Sequence, residues 1–230
     1  MAGQGARFGH RFKPFLTVGE DTFIEAAVRP FRRFSDRIAR FVFVYLEEQE
    51  RDHEVRDRLG AMFGDLPFET VLLDRPTRGP AETISRAVSA LRAGGPAFIC
   101  DCDHSLDVAP LFDAVAGGWP FEAILPVWPL EPEKLASWSV AMVEDDRVLA
   151  VAEKQMPAET RGTATGVIGC YGFRDLADVS MRAASAAATN FSDVIAGMVS
   201  RGSVRAARIP HAVFFGDPER LATAQARGLK

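Results

Sequence analysis

Two aspartates one residue apart close an apolar run, Phe98-Ile99-Cys100-Asp101-Cys102-Asp103-His104. Carboxylates that leave the carboxyl end of a strand stand where open α/β sheets bind ligands. A hard cation such as Mg²⁺ takes oxygens of this kind, uses one or two of them, and adds substrate phosphate. The same stretch offers a second chemistry. Cys100, Cys102 and His104 alternate, so on a strand they share one face, and three soft ligands suit Zn²⁺. The usual Cys-x-x-Cys spacing is absent, so the reading favours Mg²⁺. A third role is structural, with the aspartates serving only the turn and a helix capped by Asp107.

A second concentration of chemistry is N-terminal. Met1-Ala2-Gly3-Gln4-Gly5-Ala6-Arg7-Phe8-Gly9-His10-Arg11-Phe12-Lys13-Pro14 sets three glycines among Arg7, Arg11 and Lys13. Glycines let a backbone approach a ligand closely, and successive N–H groups form an anion nest. With three cations beside them, they suit a triphosphate, whose charge must be neutralised before a nucleophile approaches. A tail that binds nothing is the equal alternative. The spacing is that of neither a P-loop nor a dinucleotide fingerprint.

These residues need a scaffold. Short apolar runs predict strands over Phe41–Leu46, Phe68–Leu73, Ala97–Cys100, Ala123–Val127, Val140–Val143, Val148–Ala152, Val167–Tyr171, Ala206–Ile209 and Val213–Phe215. Helical spacing predicts Thr22–Phe31 after Asp21 as N-cap, Arg51–Phe63, and Ala81–Arg92 opened by Pro80 and closed by Gly94-Gly95. Val108–Val115, Asp193–Ser200 and Pro218–Ala226 complete the set. Strands alternating with helices imply an α/β fold: one mainly parallel, mixed sheet covered by helices on both faces. The segment from about 121 to 172 is richer in strands and proline, which suggests a strand-rich lobe. The expectation is one domain over 1–230, with a nucleotide part at about 1–120 and a second part at about 121–230.

Composition limits the function classes. A length of 230 residues fits one such domain. With 27 basic and 31 acidic residues the net charge is −4, which disfavours a dedicated nucleic-acid surface. Three cysteines argue against a disulfide framework and for a reducing compartment. No apolar run approaches the ~18 residues of a membrane span, and the N-terminus lacks the apolar run of a signal peptide. A cytoplasmic protein without membrane partners is therefore expected, and a homo-oligomer stays open.

Ala2-Gly3-Gln4-Gly5-Ala6-Arg7-Phe8 followed by Lys13-Pro14 resembles the signature of the sugar nucleotidyltransferases, the NTP-transferase group with a GT-A-type (Rossmann-like) fold. Phe12 stands where the family pattern has a first proline. The resemblance implies that Ala2, Gly3 and Gly5 wrap nucleotide phosphates, and that Arg7 and Lys13 stabilise the transferring phosphate and departing pyrophosphate. It implies that Asp103 is the Mg²⁺ ligand, supported by Asp101. Gly79 matches a loop that contacts the base, and Asp74 falls at the strand end that reads it. Val151-Ala152-Glu153-Lys154 resembles the motif whose Glu holds sugar hydroxyls and whose Lys approaches the sugar phosphate. Gly169-Cys170-Tyr171-Gly172-Phe173 resembles the strand whose leading glycine lies against the sugar. Phe215-Gly216-Asp217-Pro218-Glu219-Arg220-Leu221 resembles a late family motif. A second metal-binding Asp of some members falls at Phe214 or Phe215, so that ligand is either missing here or comes from elsewhere, with Asp217 and Asp193 as the candidates. The three tryptophans near Trp119, Trp128 and Trp138 read as core.

In the family a buried strand precedes the glycine loop, whereas this sequence begins at Met1 inside the motif. Neighbouring strands are then expected to carry open edges. A misplaced start, a strand from a partner and a degenerate relative each account for this, the first being favoured. The implied reaction joins an NTP and a sugar 1-phosphate, or a related phosphate, to give an NDP-sugar and pyrophosphate, as in polysaccharide biosynthesis. A GT-A glycosyltransferase and a non-catalytic nucleotide-sensing relative are the alternatives.

Overall fold

The computed structural model describes residues 8, 9, 11–185 and 188–228. Ala2, Gly3, Gly5 and Arg7 lie outside the described residues. In chain order the strands are β1 (Thr17–Val18), β2 (Asp21–Thr22), β3 (Phe41–Leu46), β4 (Phe68–Leu73), β5 (Ala97–Cys100), β6 (His104–Leu106) and β7 (Ala123–Pro129). They continue as β8 (Ser139–Glu144), β9 (Arg147–Glu153), β10 (Thr163–Val167), β11 (Cys170–Phe173), β12 (Val204–Arg208) and β13 (Ala212–Phe214). The helices are α1 (Phe23–Val28), α2 (Glu47–His53), α3 (Val55–Phe63), α4 (Pro80–Leu91), α5 (Ala109–Ala114), α6 (Leu176–Ser185), α7 (Phe191–Val199) and α8 (Pro218–Arg227). Two compact units interleave in sequence. One is Met1–Thr77 with Asp101–Asp107 and His211–Lys230; the other is Arg78–Cys100 with Val108–Pro210.

In the first unit, β3 and β4 run parallel in the register Phe41↔Phe68 to Leu46↔Leu73. Their covering helix presents Val55, Leu59 and Phe63 at i, i+4 spacing, all buried with Phe43, Tyr45, Ile24 and Val28. The helix expected over Arg51–Phe63 is broken in two, because Glu54 takes a left-handed turn at φ 50°. Thr22, not Asp21, caps α1 through a capping box with Glu25; Asp21 instead pairs with Arg29 at 2.6 Å. β6 and β13 pair antiparallel, Phe214 facing His104. Asp107 caps no helix: its carboxylate pairs with Arg33, and α5 starts after Val108 without a side-chain cap.

The second unit holds a seven-stranded sheet in the order β10-β8-β9-β12-β7-β11-β5, with β10 also pairing β7. Its core joins Leu125, Ala141, Val143 and Ala206 of the sheet to Phe191, Val194 and Ile195 of α7. The fold is the α/β type expected, but parallel pairing among the described residues is confined to β3–β4 and β12–β7. Hairpins account for this correction to the mainly parallel expectation. Asp145 and Asp146, at φ 47° and 61°, make the two-residue turn that returns β8 into β9. The run Val167–Tyr171 is two strands, because Cys170 N–H bonds back to Ile168 O across Gly169. Arg92, left-handed at φ 48°, closes α4 ahead of Gly94-Gly95. Among the described residues β5 ends the order of the seven-stranded sheet and β3 pairs with β4. No helix among them is long and apolar enough to cross a membrane.

Candidate active site

Lys13 opens a 3₁₀ turn, Lys13–Phe15, in which Pro14 is buried. The aromatics on either side anchor that turn. Phe12 is 8% exposed within the core cluster of α3 and β3, and stacks on His53 at 4.9 Å. Phe15 lies edge-on to Phe12, with the Arg58 guanidinium 3.7 Å from its ring centroid. This explains the departure from the family pattern at Phe12: a large aromatic there pins the lysine by packing. The Lys13 ammonium reaches Oδ2 of Asp103 at 2.5 Å, across 90 positions of sequence.

Asp103 stands immediately before β6 and is clamped from three sides. Lys13 takes Oδ2. His104, 3% exposed, places Nδ1 3.3 Å from Oδ1. An ionised carboxylate only accepts, so Nδ1 carries the proton there, and Nε2 is buried with no partner among the described residues. The third side is backbone. Phe215 N–H donates to Asp103 O at 3.0 Å, and a Cβ on the buried Gly216 would meet Oδ2 at 2.6 Å. Gly216 is therefore glycine because the carboxylate lies against its Cα.

The electrostatics keep both partners charged. Burial alone would push the Asp103 carboxyl up, but the His104 hydrogen bond and the Lys13 ammonium outweigh it and hold Asp103 far below the usual carboxylate range. Burial alone would lower Lys13, yet the Asp103 charge and hydrogen bond raise it. Asp101 is reached by solvent but ringed by protein, and that desolvation, then the charge of Asp103, push it up to about 6.

Two carboxylates in three positions fit the donor set of Mg²⁺, which needs only one or two protein oxygens when phosphates supply the rest. Asp103 would hold the ion and Asp101 would assist; no group of three or more His, Cys, Asp or Glu gathers among the described residues. The zinc alternative does not form. Cys100 Sγ lies against Cys170, Cys102 packs on the apolar cluster of α3, and His104 is turned to Asp103. Burial pushes the Cys102 thiol up to about 11, which disfavours a thiolate ligand. Both aspartates named as possible second ligands have a carboxylate oxygen engaged by nearby backbone. Asp217 caps α8, accepting from Arg220 N–H at 2.9 Å, and Asp193 accepts from Thr189 and Asn190 N–H at 3.1 and 3.0 Å.

The second unit carries its own polar cluster. Glu153 ends β9, and its Oε2 accepts from Ser139 Oγ at 2.5 Å and the buried Ser192 Oγ at 3.0 Å. One carboxylate oxygen is thus fixed by two hydroxyls that sequence spacing did not single out. Lys154 is exposed and left-handed at φ 55°, with its N–H bonded to Trp138 O at 2.9 Å. Such a conformation is uncommon for a lysine and is found disproportionately at functional sites. Gly169 sits at the break between β10 and β11. Gly79 is extended at φ 171°, and a Cβ there would strike Thr189, so packing suffices to explain that glycine. Asp74, in the first unit, follows β4 and is exposed. Trp138 is 4% exposed and packs so closely on Gly166 that an added Cβ would meet its indole, a core role as expected.

Solved structures share the fold. A nucleoside-diphosphate-sugar pyrophosphorylase from Vibrio cholerae RC9 superposes with a TM-score of 0.76 at 18% identity, covering 98% of each chain. A Bacillus anthracis protein assigned as a glucose-1-phosphate thymidylyltransferase gives 0.80 at 17%, covering 100% of this chain and 94% of its own. An apo UDP-glucose pyrophosphorylase gives 0.75 at 14%, covering 98% of this chain and 94% of its own. No curated protein matches the sequence. The profile of the MobA-like NTP transferase domain matches residues 1–158, which include Lys13, Asp103 and Glu153, and the chain belongs to that family of nucleotidyltransferases.

Proposed function

We propose that this protein transfers a nucleotidyl group from an NTP to a sugar 1-phosphate, or a related phosphate, and releases pyrophosphate. The observation that carries the reading is the Lys13–Asp103 contact, which brings the lysine of the N-terminal motif onto the carboxylate predicted to hold the metal. The acceptor phosphate oxygen attacks the α-phosphorus in line, so catalysis consists of positioning and charge stabilisation. Mg²⁺, when bound at Asp103, supplies neutralisation of phosphate charge. Lys13 places a permanent cation beside the same phosphates. Arg7, Ala2, Gly3 and Gly5 are proposed to cradle the triphosphate, with Asp74 and Gly79 toward the base. Glu153, Lys154 and Gly169 are proposed to hold the acceptor, Glu153 by its hydroxyls and Lys154 by its phosphate.

The test is a pyrophosphate-release screen of four NTPs against a panel of sugar 1-phosphates with Mg²⁺. Release that requires one particular pair is the expected result. Nucleotide binding without release for any pair would overturn it in favour of nucleotide sensing, and NDP-sugar consumption without pyrophosphate would indicate a glycosyltransferase.

The serine clamp on Glu153 gives a finer prediction. A hydroxyl that donates to a carboxylate contributes about 1.5 kcal/mol, or roughly tenfold in an equilibrium. Ser192→Ala is expected to raise KM for the acceptor about tenfold and leave KM for the NTP near wild type. Equal changes in both constants would show that Glu153 does not serve the acceptor.

A further inference from the structure

The three cysteines are all thiols, yet two of them are placed as a pair. Cys100 ends β5, the last strand of its sheet among the described residues, and is exposed; Cys170 begins β11 and is 0% exposed. The strands run antiparallel, and the two residues are direct cross-strand partners, Cys170↔Cys100. Directly opposed residues on antiparallel strands have Cα atoms about 4.5 or 5.5 Å apart, and both spacings lie within the range a disulfide spans. The side chains already face each other, with Sγ to Sγ at 2.7 Å. Cys102 differs: it packs among the apolar side chains of α3, and burial pushes its thiol up to about 11.

We propose that Cys100 and Cys170 are a reversible redox pair, oxidised by a peroxide to an intramolecular disulfide that staples β5 to β11. Cys100, being exposed, meets the oxidant. Its sulfur attacks one peroxide oxygen, the O–O bond breaks, and Cys100 sulfenic acid and one water form. The Cys170 sulfur then attacks the sulfenyl sulfur, the S–O bond breaks, and the departing hydroxide takes the Cys170 proton as a second water. Two thiols lose two electrons, and one hydrogen peroxide becomes two waters. Reduction by a dithiol reverses the change.

The pair occupies consequential positions. Cys100 immediately precedes Asp101 and Asp103, and Cys170 immediately follows Gly169. The bond would thus fix the strand ends from which both candidate segments depart. The inference itself rests on the thiol geometry alone and stands or falls independently of the proposed reaction.

The test uses the full chain, native, with stoichiometric hydrogen peroxide. Two of the three thiols are expected to disappear, the mass to fall by two hydrogens, and dithiothreitol to restore both. Cys100 and Cys102 share the tryptic peptide 93–134, so the linkage is mapped in Cys102→Ser, where peptide 93–134 is expected joined to peptide 162–174. Cys100→Ser is expected to form no intramolecular disulfide, and it replaces an exposed side chain, so its folding is not at issue. A Cys100–Cys102 linkage in the wild type would overturn the proposal. So would over-oxidation of Cys100 with Cys170 still a thiol.

Discussion

Lys13→Ala and Asp103→Ala are each expected to abolish pyrophosphate release, with kcat lowered by at least about 10³-fold, while the circular dichroism and thermal transition remain cooperative. The size follows from the role. Removing a single neutral donor from a charge-stabilising site costs about 10²–10³ in rate, and here a full charge is lost. Survival of the fold follows from exposure: each side chain of the pair is 24% exposed, so the orphaned partner turns to water. The two variants separate in a second measurement. In the free protein the Lys13 ammonium is bonded to the carboxylate that would hold the metal. Asp103→Ala is therefore expected to lose Mn²⁺ binding, measured by titration calorimetry, whereas Lys13→Ala retains it or tightens it. Turnover within tenfold of wild type in either variant would end the assignment, and equal metal affinity in both would remove Asp103 as the ligand.

The scaffold is legible in the sequence where burial is continuous and not where contacts are long-range. Phe41–Leu46, Phe68–Leu73 and Ala97–Cys100 were each predicted with the observed bounds, since an uninterrupted apolar run leaves a buried strand few alternatives. The helix over Leu176–Ser185 carries no clear sequence signal, because alanines and polar residues make up most of it and, among the described side chains, Val179 and Ala183 are the ones that reach the core. Asp21 and Asp107 both look like helix caps in the sequence. Arg29 and Arg33 claim them instead, one of them an arginine 74 positions away, which no local pattern reveals. The same limit applies at the candidate site. Lys13 and Asp103 were legible as types at strand and loop ends. Their mutual contact was not, nor was the turn of His104 away from the cysteines. Ser139 and Ser192 carry no motif, and only the fold brings them to Glu153.

Gly216→Ala is expected to lower kcat by about 10²-fold with little change in stability, because it acts on space and not on backbone conformation. Gly216 does not need a left-handed φ, so alanine brings no intrinsic strain. What it brings is a methyl 2.6 Å from Asp103 Oδ2 and 3.1 Å from Cγ, closer than van der Waals contact allows. The backbone there cannot retreat easily, because Phe215 N–H is bonded to Asp103 O and Phe214 is in register with His104. The carboxylate must rotate instead, and rotation costs it the Lys13 contact on that oxygen. A misplacement of about 1 Å in a catalytic group is enough to cost about 10² in rate. Gly197→Ala is the control. That glycine lies exposed within α7 with nothing within 4 Å of an added Cβ, so alanine there is expected to add up to about 1 kcal/mol of stability and leave turnover unchanged. The divergence of two Gly→Ala variants is what ties the effect to Asp103. Wild-type turnover in Gly216→Ala would mean that the carboxylate tolerates displacement, and would remove it from the reacting centre.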